Sequence, residues 1–210
     1  MDSADRPKPN VKIGVNNQIN MKKFSKEELV GVTVIFLLLL VISIPNFALS
    51  IRRSRDQNRR DDIGGLAHGL EDYYADFGVF PKSNSDGEII ACKRPEAKVL
   101  VDEKGRLIVD LVPCVWGRDA LVDLTPESNK VYIKALPVDP THAKGDKYMY
   151  LSDGYRYQIL AGMEAEDESG YSVGIFARKV MCGTRACNMG RSYNSPLNKS
   201  IEEYVNEIKK

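Results

Sequence analysis

Hydrophobic and polar positions divide the chain into three successive patterns. From Leu29 to Ile51 there are 23 consecutive residues without Asp, Glu, Lys or Arg. At ~1.5 Å of rise per residue a helix of this length covers about 34 Å, enough to cross the hydrocarbon core of a bilayer. A secretory signal peptide would carry an apolar region of only ~7 to 15 residues followed by a small-residue cleavage site, whereas this run continues into charge at Arg52. The pattern predicts a retained membrane-spanning helix over 24–51. The basic stretch RRSRDQNRR then gives way to Ile63, Leu66, Leu70, Tyr73 and Phe77, spaced by three and four residues, which predicts an amphipathic continuation of the helix over 52–77. Gly78 suits the left-handed closure of that helix and Pro81 prevents its resumption. Pro45, inside the apolar run, removes one backbone hydrogen bond and predicts a bend. Gly64, Gly65 and Gly69 each cost about 1 kcal/mol in a helix interior, so they imply either a flexible stretch or the close approach of another backbone.

Beyond Pro81 the period changes from that of a helix to that of short strands. Lys98 to Val101 and Leu107 to Val112 flank the polar turn Asp102-Glu103-Lys104-Gly105 and read as a hairpin, and Val131 to Leu136 is a further strand. The clearest hairpin pattern is Tyr148 to Leu151 and Tyr155 to Leu160 around Ser152-Asp153-Gly154, where Asp-Gly supplies the backbone angles of a tight turn. Tyr171 to Val180 reads as another strand. A long helix followed by antiparallel strands predicts an α+β fold, with Ile63, Leu66, Leu70 and Phe77 packed on one face of a small sheet. Residues 1–23, with Pro7, Pro9 and no apolar period, read as a disordered leader, which leaves one β-rich globular domain over 78–210.

Composition narrows the chemistry. The chain has 210 residues and a formal net charge of +1, with no basic excess to drive nucleic-acid binding. Its four cysteines, Cys92, Cys114, Cys182 and Cys187, all follow the apolar run, as in a disulfide-bearing extracytoplasmic domain. Local pairing, Cys92 with Cys114 and Cys182 with Cys187, closes the shorter loops. Zinc is the rival reading, but neither spacing matches paired zinc ligands and neither histidine is close to a cysteine pair. There is no Gly-rich phosphate loop and no His-Glu metal motif, so neither a catalytic site nor a metal or other cofactor is expected. His68 falls on the polar face of the helix and His142 in a polar loop. Glu164, Glu166, Asp167 and Glu168 lack the glycine-punctuated spacing of a calcium loop and read as a solvated turn. Glu28 differs, because an ionised group at the edge of hydrocarbon is costly unless paired and is a functional candidate for that reason. Glu27 reads as an interfacial residue favoured by the helix dipole.

Phe24, Glu28 four residues later, and Pro45 twenty-one residues after Phe24, set around a transmembrane stretch, resemble the N-terminus of type IV pilins and type II secretion pseudopilins. Tyr73-Tyr74-Ala75-Asp76-Phe77-Gly78-Val79-Phe80-Pro81 looks like the end of the pilin helix. Leu136-Pro137-Val138-Asp139-Pro140 followed by the Tyr148 to Leu160 hairpin is similar to the G-type major pseudopilin. The resemblance implies a structural subunit that enters a helical filament by self-association, in contact with membrane lipid and with the assembly platform of a secretion or pilus machine. It implies that the N-terminus lies in the cytoplasm and the domain outside, which the near-equal basic counts on the two sides of the span do not decide. It gives assembly roles to Phe24, Glu28 and Pro45, with Glu28 pairing to the amino terminus of a neighbouring subunit. Prepilin peptidase would cut between Lys23 and Phe24, but the family has Gly where this chain has Lys23. The calcium site of the G-type protein has no match here. A minor pilin for adhesion or DNA uptake is the alternative within the class, and a membrane-anchored extracytoplasmic enzyme is the alternative outside it.

The Lys23 substitution predicts slow or absent cleavage at the Lys23–Phe24 bond. Intact-mass measurement of the protein from membranes should show the uncut chain, and a methylated product beginning at Phe24 would show that Lys is tolerated there.

Overall fold

The computed structural model describes residues 25–94, 100–101, 107–108, 110–125 and 128–210. The expected leader over 1–23, the Lys23–Phe24 bond and the turn at 102–105 lie outside the described residues. A helix, α1 (Lys26–Phe77), is followed by β1 (Lys82–Ser83), β2 (Ile89–Lys93), β3 (Leu100–Val101), β4 (Leu107–Ile108), β5 (Leu111–Pro113), β6 (Leu121–Val122) and β7 (Val131–Ile133). A 3₁₀ turn (His142–Lys144) leads to β8 (Met149–Ser152), β9 (Tyr157–Ala161), α2 (Val173–Phe176), β10 (Met181–Cys182), β11 (Arg185–Ala186), β12 (Met189–Tyr193) and α3 (Ile201–Ile208). The fold is α+β, with every strand pairing antiparallel. The chain divides into two compact units, one ending at Asn46 and one beginning at Phe47.

In the first unit the helix presents apolar side chains on all sides. None of the residues in its most apolar window is buried among the described residues, with exposures such as 60% at Leu29, 59% at Leu38 and 70% at Val41. By length and composition this helix is sufficient to span a membrane.

The second unit is built on a central antiparallel sheet in the order β12-β9-β8. All five residues of β9 are buried, so both faces of this sheet are covered. Side chains alternate along the strand: Tyr157, Ile159 and Ala161 join Ile63, Leu66, Ala67 and Leu70 of α1 in the main core. Leu160 points the other way, into a second cluster with Met149, Ile175, Cys182 and Cys187. Gln158, on that same far face, donates from Nε2 to the carbonyls of Pro196 at 2.6 Å and Lys199 at 2.8 Å, and so holds the segment that leads into α3. Tyrosines tie the sheet side of the core to the helix through their hydroxyls. Tyr148 donates to Asp62 at 2.6 Å and Tyr157 to Glu71 at 3.1 Å, which satisfies polar tips on buried rings, and the partly buried Tyr132 donates to Asp76 at 2.6 Å. The helix closes at Gly78, whose φ of 69° is in the left-handed region.

Several sequence expectations change in detail. The strand read over 171–180 is instead the short helix α2, because the Ser172 hydroxyl accepts the Ile175 N–H and starts a turn, and Lys179 at φ 56° reverses the chain after it. The strand read over 107–112 is split between two sheets: β4 pairs with β3, and β5 pairs with β2. The Asp-Gly hairpin is wider than a two-residue turn. Ser152 pairs with Tyr157, leaving a four-residue loop in which the Asp153 carboxylate accepts the N–H groups of Tyr155 and Arg156 and Gly154 alone takes a positive φ.

Of Gly64, Gly65 and Gly69, the last marks a close approach. A Cβ there would stand 2.9 Å from the Tyr132 carbonyl oxygen and would run into the Ile133 side chain, whereas a Cβ on Gly65 would meet nothing within 4 Å. Gly69→Ala should therefore destabilise the unit by about 1–3 kcal/mol through overpacking. Gly65→Ala should leave it unchanged or about 1 kcal/mol more stable through helix propensity. Denaturant titration of the two variants in detergent checks the contrast.

Candidate functional site

Of the residues singled out for processing and assembly, Lys23 and Phe24 lie outside the described residues, and Glu28 and Pro45 are on α1. Glu28 is exposed and occupies the third helical position. Its carboxylate accepts the Ser25 N–H at 2.8 Å while its own N–H donates to the Ser25 hydroxyl at 3.2 Å. This reciprocal capping box satisfies two of the backbone donors that a helix start leaves without partners. Pro45 interrupts the backbone ladder, and beside it Asn46 donates from its side chain to the Ile42 carbonyl at 3.1 Å. Thr33 likewise turns its hydroxyl inward, to the Leu29 carbonyl at 2.8 Å, so these two polar side chains of the run hydrogen-bond to its own backbone.

The four cysteines form two disulfides, Cys92–Cys114 and Cys182–Cys187, each with a Cα separation of 5.1 Å. The second closes a hairpin made by β10 and β11. His68 is exposed on the helix, and His142 lies in the 3₁₀ turn with Nδ1 3.1 Å from the Asp139 carbonyl oxygen. No cluster of His, Cys, Asp and Glu that could hold a metal ion occurs among the described residues.

The largest concentration of charge is one that spacing alone did not reveal. Arg59 of α1 is fully buried, and all five of its N–H donors are used. Nε and Nη2 grip Asp139 at 2.7 and 2.9 Å, Nη2 also reaches the Thr141 hydroxyl at 2.7 Å, and Nη1 donates to Asp56 at 2.6 Å and Glu164 at 3.2 Å. Asp56, buried one turn earlier, also accepts the backbone N–H groups of Glu164 at 2.9 Å and Ala165 at 3.0 Å. The disulfide hairpin closes the circuit. Arg185 lies 3.1 Å from Asp146 and 3.7 Å from Glu164, and the Thr184 hydroxyl bonds Asp146. Arg55 adds a bidentate pair with Glu164 at 2.6 Å for each bond. Four carboxylates and three guanidinium groups thus join the helix to two irregular segments and the disulfide hairpin.

The acidic run read as a solvated turn is therefore a counter-charge to the arginine stretch. Besides Glu164, Asp167 lies 3.4 Å from Arg52, and Glu168 lies 2.9 Å from Arg53 and 3.9 Å from Arg60. These outer pairs are exposed enough to add little each. The buried centre is different. Burial disfavours the charged form of Arg59, yet its bonds to Asp139, Asp56 and Glu164 outweigh this and hold it protonated. The bonds from Arg55, and then those from Arg59, hold the Glu164 carboxyl down to about 2 from an ordinary 4.5. Burial would raise Asp139, but Arg59 and Thr141 reverse the balance and lower it. The cluster is a latch; a reactive centre would instead need a group left poised between protonation states.

No protein-family model, curated protein or solved structure matches the chain.

Glu164 and Asp139 have depressed values in the folded state, so the stability they contribute is complete above the ordinary carboxylate range. It is lost as pH falls through the folded values. Unfolding free energy should hold steady above about pH 4.5 and decline toward pH 2, the interval between the two Glu164 values. Arg59→Met should cost about 3–5 kcal/mol at neutral pH, because it strands Asp56 and Asp139 without their cation, and should flatten that acid limb. Denaturation midpoints recorded against pH for both proteins give the comparison.

Proposed function

We propose that this chain is a structural subunit of a pilus or pseudopilus filament, in a type IV pilus or type II secretion system, held in the membrane by its N-terminal helix before assembly. The observation that carries this reading is the first part of α1, an apolar stretch in which every described residue from Leu29 to Ile51 is exposed. Such a surface is unstable in water and requires lipid or other apolar helices around it. In the subunit awaiting assembly lipid provides that cover, and in the filament the same helices of neighbouring copies do. The globular unit then forms the outer surface. Two disulfides suit an oxidising compartment outside the cytoplasm.

Glu28 supports the reading through chemistry as well as position. Its capping box is an exposed local arrangement, and one carboxylate oxygen can accept the Ser25 N–H while the other receives a positive group from the next subunit. That group is the amino terminus if the chain is cut before Phe24, and Lys22 or Lys23 if it is not. Packing of helices excludes water around the pair and strengthens it.

Glu28→Gln separates the two roles, since Gln at the third helical position retains the capping box and loses the charge. The variant should insert in the membrane as wild type does, while its amount in sheared filament fractions falls at least about tenfold, the equivalent of ~1.4 kcal/mol per assembly step. Glu27→Gln is the control and should change neither. Equal sheared amounts of the Glu28 variant and wild type would reduce Glu28 to a helix cap.

A further inference from the structure

Strand β12 lies at the edge of its sheet, with β9 on one side and no strand on the other among the described residues. Alternate N–H and C=O groups of such a strand point away from the sheet. Apart from its ladder with β9, no backbone group of Met189–Tyr193 is hydrogen-bonded among the described residues. The neighbouring loop reaches only the residue before, where the Ser172 N–H donates to the Asn188 carbonyl at 2.7 Å. Between this edge and α1 runs a groove of about 300 Å³, lined by Arg60, Ile63, Gly64, Gly170, Gly190 and Arg191. Arg191 and Tyr193 project from β12 on the side that carries α1. A Cβ on Gly64 would stand 3.9 Å from Arg191 Nη1, and the Tyr193 ring lies 5.5 Å from that of Tyr74. Arg191 is exposed and has no carboxylate within salt-bridge distance among the described residues, and Arg60 has Glu168 alone, at 3.9 Å.

We propose that the open edge of β12 binds an extended acidic peptide, which adds to the sheet as a further strand. Main-chain bonds to the edge supply the affinity, and side chains at alternate positions supply the selection. Two peptide residues on the α1 side, separated by one that faces away, come to lie beside Arg191 and Tyr193. A carboxylate at the first position meets the Arg191 guanidinium in a charge-assisted hydrogen bond. An aliphatic side chain at the second packs on the Tyr193 ring, which is 37% exposed. A basic side chain at the first position would face two guanidinium groups, which selects against basic segments. A second copy of β12 is a poor occupant for the same reason, because antiparallel pairing about the centre of this strand sets Arg191 opposite Arg191. The inference uses the globular unit alone and goes beyond the filament reading, so the failure of one leaves the other standing.

Its test uses the full chain in detergent micelles and a fluorescein-labelled probe of sequence Thr-Glu-Thr-Val-Thr, with empty micelles as the blank. Fluorescence anisotropy should show binding, and the counterpart with Lys in place of Glu should bind at least about tenfold more weakly. Arg191→Glu should reverse that preference, a gain for the Lys probe that misfolding would not produce. Because only one edge of the probe faces β12, N-methylation of alternate residues along one edge should abolish binding, and along the other edge should spare it. Bound probe should also slow amide hydrogen exchange over 189–193. Equal binding of the two methylated probes would reduce the contact to charge attraction and overturn the added strand. No binding of the Glu probe, or a preference that Arg191→Glu leaves unchanged, would overturn the site.

Discussion

A buried guanidinium must find five acceptors, and where Arg59 finds them decides how the globular unit is put together. Its partners come from α1 itself, from the segment around Asp139 and Thr141, and from Glu164. Those segments have little regular structure to fix them, and their backbone N–H groups are satisfied by Asp56 and Asp139. Removing the cation would therefore leave more than one unpaired carboxylate; it would free the loops whose positions the carboxylates define. The Cys182–Cys187 hairpin depends on the same cluster from the other side, since it brings Thr184 and Arg185 to Asp146. A Cβ on Gly183 would stand 2.7 Å from the Asp146 Cα, which is why this hairpin can lie so close.

The parts of the fold legible in the sequence are those fixed by local period and local turn chemistry. Ile63, Leu66 and Leu70 read as a helix stripe and are core residues, and Gly78 read as a helix stop and takes the left-handed conformation. The cluster was not legible because its members are polar and far apart in sequence. Asp56 and Arg59 continue the Ile63–Leu66–Leu70 stripe at the same spacing of three and four, but a charged residue there reads as solvent-facing until its partner is known. That unbroken spacing was the available clue. The partners stand 80 to 109 residues away in the closest contacts, beyond anything a period reports. Strand boundaries failed for a related reason: ladders of two or three residues, as in β4 and β5, are set by which neighbour they meet more than by their own propensity.

The same helix solves two burial problems in two ways. From Asp56 onward it is a core element, with its buried face carried first by an ion network and then by aliphatic side chains. Before Asn46 it makes no core of its own, and its polar groups are turned to their own backbone at Thr33 and Asn46 or to the cap at Ser25 and Glu28. From Leu29 onward such a segment carries no charged side chain and offers apolar contact in every direction. Those are properties that an apolar surrounding, lipid or helical, can use.

The most direct test is site-directed spin labelling of dispersed protein in bilayers, with a nitroxide on introduced cysteines at successive positions from Val32 to Leu49. High collision rates with oxygen at every position, low rates with a water-soluble nickel chelate, and no 3.6-residue period would match a helix exposed on every side, as its described residues are. A 3.6-residue period with one face shielded from oxygen, or free access of the chelate along the run, would contradict it.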